Sequence, residues 1–140
     1  MKIAVVYWSG TGNTEVMAKA VLEGVNAAGG EGSLLTAAEF TADQISEYDA
    51  LAFGCPSMGV ESLEEGEFEP MFQSCEPHLS GKKIALFGSY GWGDGEWMRN
   101  WEDLCRADGA VLACESVICN DAPNDSAITA CKALGAALAN

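Results

Sequence analysis

Apolar residues in this chain alternate between two spacings, and that alternation limits the possible folds more than any other feature. Ile3 to Trp8 is an unbroken apolar run, the pattern of a parallel strand covered on both faces. From Thr14 to Ala28 the spacing becomes helical, with Met17, Val21, Val25 and Ala28 recurring before Gly29-Gly30 ends the stripe. Ser33 to Thr36, Asp49 to Gly54, Lys83 to Phe87 and Val111 to Cys119 read as four further strands. Glu67 to His78, Glu96 to Asp108 and Ser126 to Ala139 read as helices, and the polar stretch before Tyr48 as a connection with one helical turn. On the helix from Glu96 to Asp108, Trp97, Trp101, Leu104 and Cys105 fall on one face and are assigned to the core. Strands alternating with helices predict a parallel sheet wrapped on both sides, and right-handed crossovers leave few topologies. The expected fold is α/β and doubly wound, with strand order 2-1-3-4-5, in one domain spanning residues 1–140.

In that layout ligands bind beyond the carboxyl ends of the strands, where the order reverses between the first and third. The loops after strands 1, 3 and 4 open there, and they are the most unusual stretches of the chain. Ser9-Gly10-Thr11-Gly12-Asn13-Thr14 joins a strand directly to a helix. Its glycines let main-chain amides approach a ligand, its side chains are hydroxyl and amide donors, and the helix start adds free N–H groups. Such a loop suits a phosphate monoester. It lacks the Gly-Lys-Ser/Thr ending of a Walker loop, and Glu15 stands where a dinucleotide fingerprint needs glycine. After strand 4, Ser89-Tyr90-Gly91-Trp92-Gly93-Asp94-Gly95 sets a tryptophan between glycines, a better place to stack on a flat ring than to fill a core. After strand 3, Met58 is polarizable and able to close the opposite ring face.

Charge and composition exclude other classes. Seven basic residues against 21 acidic ones give a net charge of −14. That surface repels phosphate backbones and anionic lipid, so nucleic acid and membrane are poor partners, and a basic protein face is the natural complement. No apolar run approaches the length of a membrane helix, and the apolar opening lacks a cleavage site, so a cytoplasmic protein is expected. The six cysteines contain no Cys-x-x-Cys pair and read as reduced thiols packed like small apolar residues. The single histidine, His78, has too few neighbouring ligands for zinc and lies outside the three loops, so neither a metal site nor a Ser-His or Cys-His catalytic pair is expected. A phosphatase loop built on Cys55 fails because position 61 is Glu.

The motifs Tyr7-Trp8-Ser9-Gly10-Thr11-Gly12-Asn13-Thr14, Met58-Gly59, Glu61, Glu67-Phe68-Glu69-Pro70, Gly81-Lys82-Lys83 and Ser89 to Gly95 together resemble the short-chain flavodoxins, closest to those of anaerobic Firmicutes. The resemblance runs nearly end to end. It implies a flavodoxin-like fold and a monomeric electron-transfer flavoprotein that binds FMN non-covalently, cycles chiefly between semiquinone and hydroquinone at low potential, and docks on redox partners. A small FMN-dependent reductase is the enzymatic alternative. Ser9, Gly10, Thr11, Gly12, Asn13 and Thr14 would then hold the phosphate. Pro56, Ser57, Met58, Gly59, Val60 and Glu61 would flank the ring, with Met58 and Trp92 bracketing it, Glu61 accepting from ring N3–H, and the Gly59 carbonyl turning to N5–H in the half-reduced state. Ser89, Tyr90 and Gly91 would meet the ribityl chain and pyrimidine edge, and Trp92, Gly93 and Asp94 would complete the cofactor site.

Two positions depart from the family pattern. Pro56 stands where relatives often carry Ser or Thr, and it has no N–H or hydroxyl to donate. Val60 stands where close relatives often carry Asp. A turn around Gly59-Val60 alternates between forms needing positive φ at one residue or the other, and β-branched Val60 resists it by about 1–2 kcal/mol. One turn form is therefore expected to be disfavoured and semiquinone stability altered; an unchanged semiquinone yield in Val60→Asp or Val60→Gly contradicts this. The acidic runs Glu61, Glu64, Glu65, Glu67, Glu69 and Asp94, Glu96, Glu102, Asp103 both begin at the proposed ring site. They are expected to oppose added negative charge there, and neutralising Glu61, Glu64 and Glu65 together to raise the second potential.

Overall fold

The computed structural model describes residues 1–59 and 61–140. Val60, and with it the expectation about its turn, lies outside the described residues. The strands are β1 (Lys2–Tyr7), β2 (Glu31–Thr36), β3 (Ala50–Gly54), β4 (Lys83–Tyr90), β5 (Val111–Leu112) and β6 (Val117–Asn120). The α-helices are α1 (Asn13–Ala27), α2 (Phe68–Cys75), α3 (Glu96–Ala107) and α4 (Asp125–Ala139), with 3₁₀ segments at Ala42–Glu47 and Glu76–His78. All strand pairings are parallel, in the order β2-β1-β3-β4-β5, and β6 pairs with β4 beyond β5.

Alternate residues of each central strand enter opposite cores, which is why these segments are apolar throughout. Ile3, Val5, Ala50, Ala52, Ala85 and Phe87 face Met17, Val21 and Val25 of α1 and Cys131, Leu134 and Leu138 of α4. Ala4, Val6, Leu51, Phe53, Ile84 and Leu86 face Phe68 and Phe72 of α2 and Trp97 and Trp101 of α3. In that second core Trp101 meets Phe68 and Phe72 edge-on, with ring centroids 5.4 and 5.6 Å apart. Helices α1 and α4 lie so close that a methyl group at Gly24 would strike the Lys132 carbonyl, and one at Gly135 the Val21 carbonyl.

Four details differ from the sequence reading. The fifth strand is two pieces, because after the Ala113 N–H donates to the Ile84 carbonyl at 2.8 Å the chain leaves the ladder, and Ser116 Oγ donates to Glu102 Oε2 of α3 at 2.6 Å. Strand β4 runs on to Tyr90 rather than ending at Phe87, since β6 supplies Val117 to Asn120 as partners for Phe87 to Tyr90. Helix α2 gives way to a 3₁₀ turn before His78 because Pro77 has no N–H to continue the helical ladder. On α3, Leu104 is 41% exposed while Met98 is buried beside Trp97, Trp101 and Cys105. The six thiols are all free; Cys55, Cys75, Cys105 and Cys131 are fully buried, and Cys114 and Cys119 half-buried.

Candidate functional site

The carboxyl ends of β1, β3, β4 and β6 open on one edge, and the candidate residues gather there. The most complete part is the loop from β1 into α1. The N–H groups of Gly12 and Glu15 both donate to Ser9 Oγ, at 3.1 and 3.2 Å. Two amides thus converge on one oxygen inside the loop, the geometry an anionic oxygen requires. Gly12 occupies the residue before the helix at φ 102°, a conformation that costs a residue with a Cβ about 1–2 kcal/mol. It offers the helix start no side-chain cap of its own, and the positive end of α1 faces the same loop. Thr14 Oγ1 and Ser89 Oγ are hydrogen-bonded at 3.0 Å and buried, tying the loop to β4.

Beside this loop lies a crevice of ≈ 220 Å³, lined by Trp8, Gly10, Thr11, Asn13, Pro56, Ser57, Met58, Ser89, Tyr90, Gly91 and Asp121. A second cleft of ≈ 480 Å³ shares Trp8, Gly10 and Thr11 with it and is lined by Ser9, Gly12, Glu15, Thr36 and Glu67, among others. Among the described residues, neither lining includes a lysine or arginine, so the seat depends on main-chain dipoles and hydroxyls rather than on a cation. The structure therefore brings Ser9 to Thr14, Pro56, Ser57, Met58 and Ser89 to Gly91 together.

The remaining candidates among the described residues stand apart. Met58 and Ser62 exchange main-chain hydrogen bonds at 2.8 and 3.0 Å, closing a tight hairpin in which Gly59 and Glu61 take φ of 50° and 46°. Glu61 does not line the crevice: its Oε1 accepts from the Glu96 N–H at 3.1 Å, at the start of α3. One carboxylate oxygen each of Glu61, Asp94 and Glu96 lies within 4.8 Å of the others. Arg99 binds Asp94 at 3.0 Å. Trp92 is 64% exposed and packs in neither core. It is no structural anchor.

Sequence reasoning missed three contributors. Trp8, the last residue of the first apolar run, lines both clefts and donates from Nε1 to Glu67 Oε1 at 3.1 Å. Asp121 enters the crevice from the loop after β6, at φ 57°, with its N–H on the Tyr90 carbonyl at 2.8 Å. The same topological rule that selected three loops applies to this fourth one. Glu64 had been grouped with charges facing the ring, but it caps α2, accepting from the N–H groups of Gly66, Glu67 and Phe68 at 2.6, 2.7 and 2.9 Å. Partial burial works to raise its carboxyl, yet these hydrogen bonds together hold it below the ordinary value. Glu67 (on Trp8), Glu102 (on Ser116) and Asp103 (on Arg106) are likewise engaged locally.

Nucleophilic chemistry has little support here. Burial pushes the thiol of Cys55 up to about 12, and His78 lies before β4, at the opposite end of the sheet.

The fold and crevice define a class of doubly wound α/β protein that seats a phosphate at a helix start beside a slot for a flat group. A family model described as flavodoxin matches residues 5–135. The chain is 43% identical to a flavodoxin of Clostridium beijerinckii over 136 residues, covering 97% of this chain and 98% of the relative. It is 42% identical to that of Megasphaera elsdenii, with 98% of each covered. The solution structure of two-electron reduced Megasphaera elsdenii flavodoxin superposes with a TM-score of 0.90 over 98% of both chains. The chain belongs to the flavodoxin family. It is accordingly an FMN-using, low-potential electron carrier.

Proposed function

We propose that the β1–α1 loop, the crevice beside it and the exposed Trp92 hold FMN without a covalent bond, and that the acidic surface around them docks the protein briefly on redox partners with basic faces. The observation that carries this reading is the convergence of the Gly12 and Glu15 amides on a single oxygen, Ser9 Oγ, at a helix start whose N-cap residue, Gly12, has no side chain to cap it. Bound FMN supplies one-electron transfer. Ser9, Thr11, Asn13 and Thr14 provide hydroxyl and amide donors for the phosphate, and the Gly10 and Gly12 backbones allow close approach. Met58 and Trp92 cover the two ring faces and exclude water from them. Ser57, Ser89, Tyr90 and Gly91 flank the chain that joins phosphate to ring, and Val60, Gly93 and Asp94 belong to the same two ring-side loops. Pro56 fills its place in the wall but donates nothing.

Electrostatics sets the direction of electron flow. A carboxylate about 10 Å from the ring, at an intermediate dielectric of about 40, opposes an added negative charge by about 0.8 kcal/mol. Glu61, Asp94 and Glu96, clustered in a chain of net charge −14, make the reduced protein a strong donor. The same charges steer a basic partner, so association is fast and weakened by salt.

We read the chain as a carrier rather than an enzyme, acting as a monomer and as one folding unit over residues 1–140. Its buried Cys55 thiol and distant His78 cannot form a Cys-His pair at the crevice. Six free thiols suit the reducing cytoplasm. Among the described residues no helix is long and apolar enough to cross a membrane.

Anaerobic stepwise reduction of the FMN-loaded protein, followed by visible spectroscopy, tests this function. Two separate one-electron steps, the second at the lower potential, are expected. A single two-electron step, or unaided turnover with a nicotinamide, contradicts it.

A further inference from the structure

At the end of the sheet remote from the crevice, a buried carboxylate oxygen lacks a donor. Asp108 follows the last turn of α3, and its Oδ2 is buried with no hydrogen-bond partner among the described residues. Half-buried Glu76, in the 3₁₀ turn after α2, meets it carboxyl to carboxyl. The backbone holds the two segments side by side. The Gly81 N–H donates to the Gly109 carbonyl at 2.8 Å and the Val111 N–H to the Lys82 carbonyl at 2.9 Å, with Leu79 fully buried beneath. Two ionised carboxylates offer only acceptors. The contact closes only with a proton between them.

We propose that Glu76 and Asp108 share one proton and form a pH-sensitive latch between the 3₁₀ turn and the carboxyl end of α3. Other charges nearby do not replace that proton. On α3, Arg106 pairs outward with Asp103 at 3.3 Å, Glu102 is held by Ser116, and the Cys105 thiol is pushed up to about 12, by burial first and then by Asp108 and Glu76. On the segment of Glu76, His78 is exposed and Lys82 donates to the Tyr48 carbonyl at 2.7 Å. A carboxylate at the negative end of a helix also favours taking up a proton.

Burial, then the hydrogen-bonded Asp108 carboxyl, raise Glu76 to about 7, whereas an unfolded glutamate releases its proton at about 4.3. The folded protein thus binds more protons than the unfolded chain between these values. The latch is fully in place below the lower value and is lost as pH rises through the upper one. One shared proton changes the unfolding constant by up to about tenfold per pH unit inside that window.

Urea unfolding of the FMN-saturated protein from about pH 5 to about pH 8 tests the latch in the parent, Glu76→Gln, Asp108→Asn and the double variant. The parent's unfolding constant is expected to rise at least about tenfold more across the range than that of either single variant. The double variant should share their slope, since one proton is lost only once. Independently of how the variants fold, infrared spectroscopy of the native parent should show a protonated-carboxyl band near pH 6 that vanishes near pH 8. Equal pH profiles for the parent and both single variants, or absence of that band, overturn the proposal.

Discussion

The phosphate loop and the ring walls occupy one edge of one sheet, yet they are built differently. The loop is organised from within: Ser9 gathers two amides, Gly12 holds a left-handed turn, and Thr14 is bound to Ser89 in the interior. The ring walls have little of their own to rest on. Trp92 projects into solvent between glycines, and Met58 sits at the foot of a hairpin with positive φ at both Gly59 and Glu61. In the arrangement proposed above, a site preorganised at one end and open at the other separates two tasks: the loop would fix where the ligand lies, and the walls would adjust the energy of the electron.

Substitutions on each side of this divide should behave differently. Trp92→Ala has the largest expected effect on the ligand, weakening FMN binding by about 2 kcal/mol, since an indole covering a ring contributes both area and stacking. The urea midpoint of the apoprotein should stay the same, because Trp92 packs in neither core. Gly12→Val should reverse that separation. Its strain of about 1–2 kcal/mol should appear in apoprotein stability and FMN affinity alike. Fluorescence titration with FMN, combined with urea unfolding, checks both; a Gly12→Val protein as stable as the parent would erase the contrast.

Much of this edge could be read from the chain. The loop from Ser9 to Thr14 stands out because glycines and hydroxyls directly join an apolar strand to a helix, a local pattern that needs no tertiary knowledge. The strand order followed for a similar reason. What stayed hidden depends on neighbours distant in sequence. Ser89 and Tyr90 belong to β4 only because β6 comes to pair with them, and nothing in residues 83–90 announces that partner. Leu104 sits one turn from the buried face of α3, where the place of a small angular step is decided by packing. Glu64 looked like one more exposed charge, since a side chain turning back onto the amides of Gly66 to Phe68 is indistinguishable in composition from one facing water. Asp121 follows β6, and the near-continuous apolar stretch from Val111 to Cys119 hides the break between β5 and β6 that sets this loop at the crevice.

The reassignment of Glu64 gives a smaller test. Glu64→Gln should lower stability by about 1 kcal/mol through a weakened helix cap. Because its folded carboxyl lies below the ordinary value, the parent holds this stability above about pH 4.3 and loses it as pH falls. The variant's unfolding curve should therefore vary less at acid pH, while its reduction potentials match the parent's. Glu61→Gln should give the smallest shift and the opposite pattern: unfolding little changed, and the second potential raised by a few tens of millivolts at low salt, less at high salt. Potentiometry at two ionic strengths reads this directly.

The central claim is that main-chain amides at the start of α1, without a lysine or arginine, hold the phosphate of FMN in a protein of net charge −14. Titrating the apoprotein in parallel with FMN and with riboflavin, which lacks the phosphate, measures that contribution alone. FMN should bind at least about a hundredfold more tightly, as several charge-assisted hydrogen bonds require. Equal affinity for the two would contradict the account.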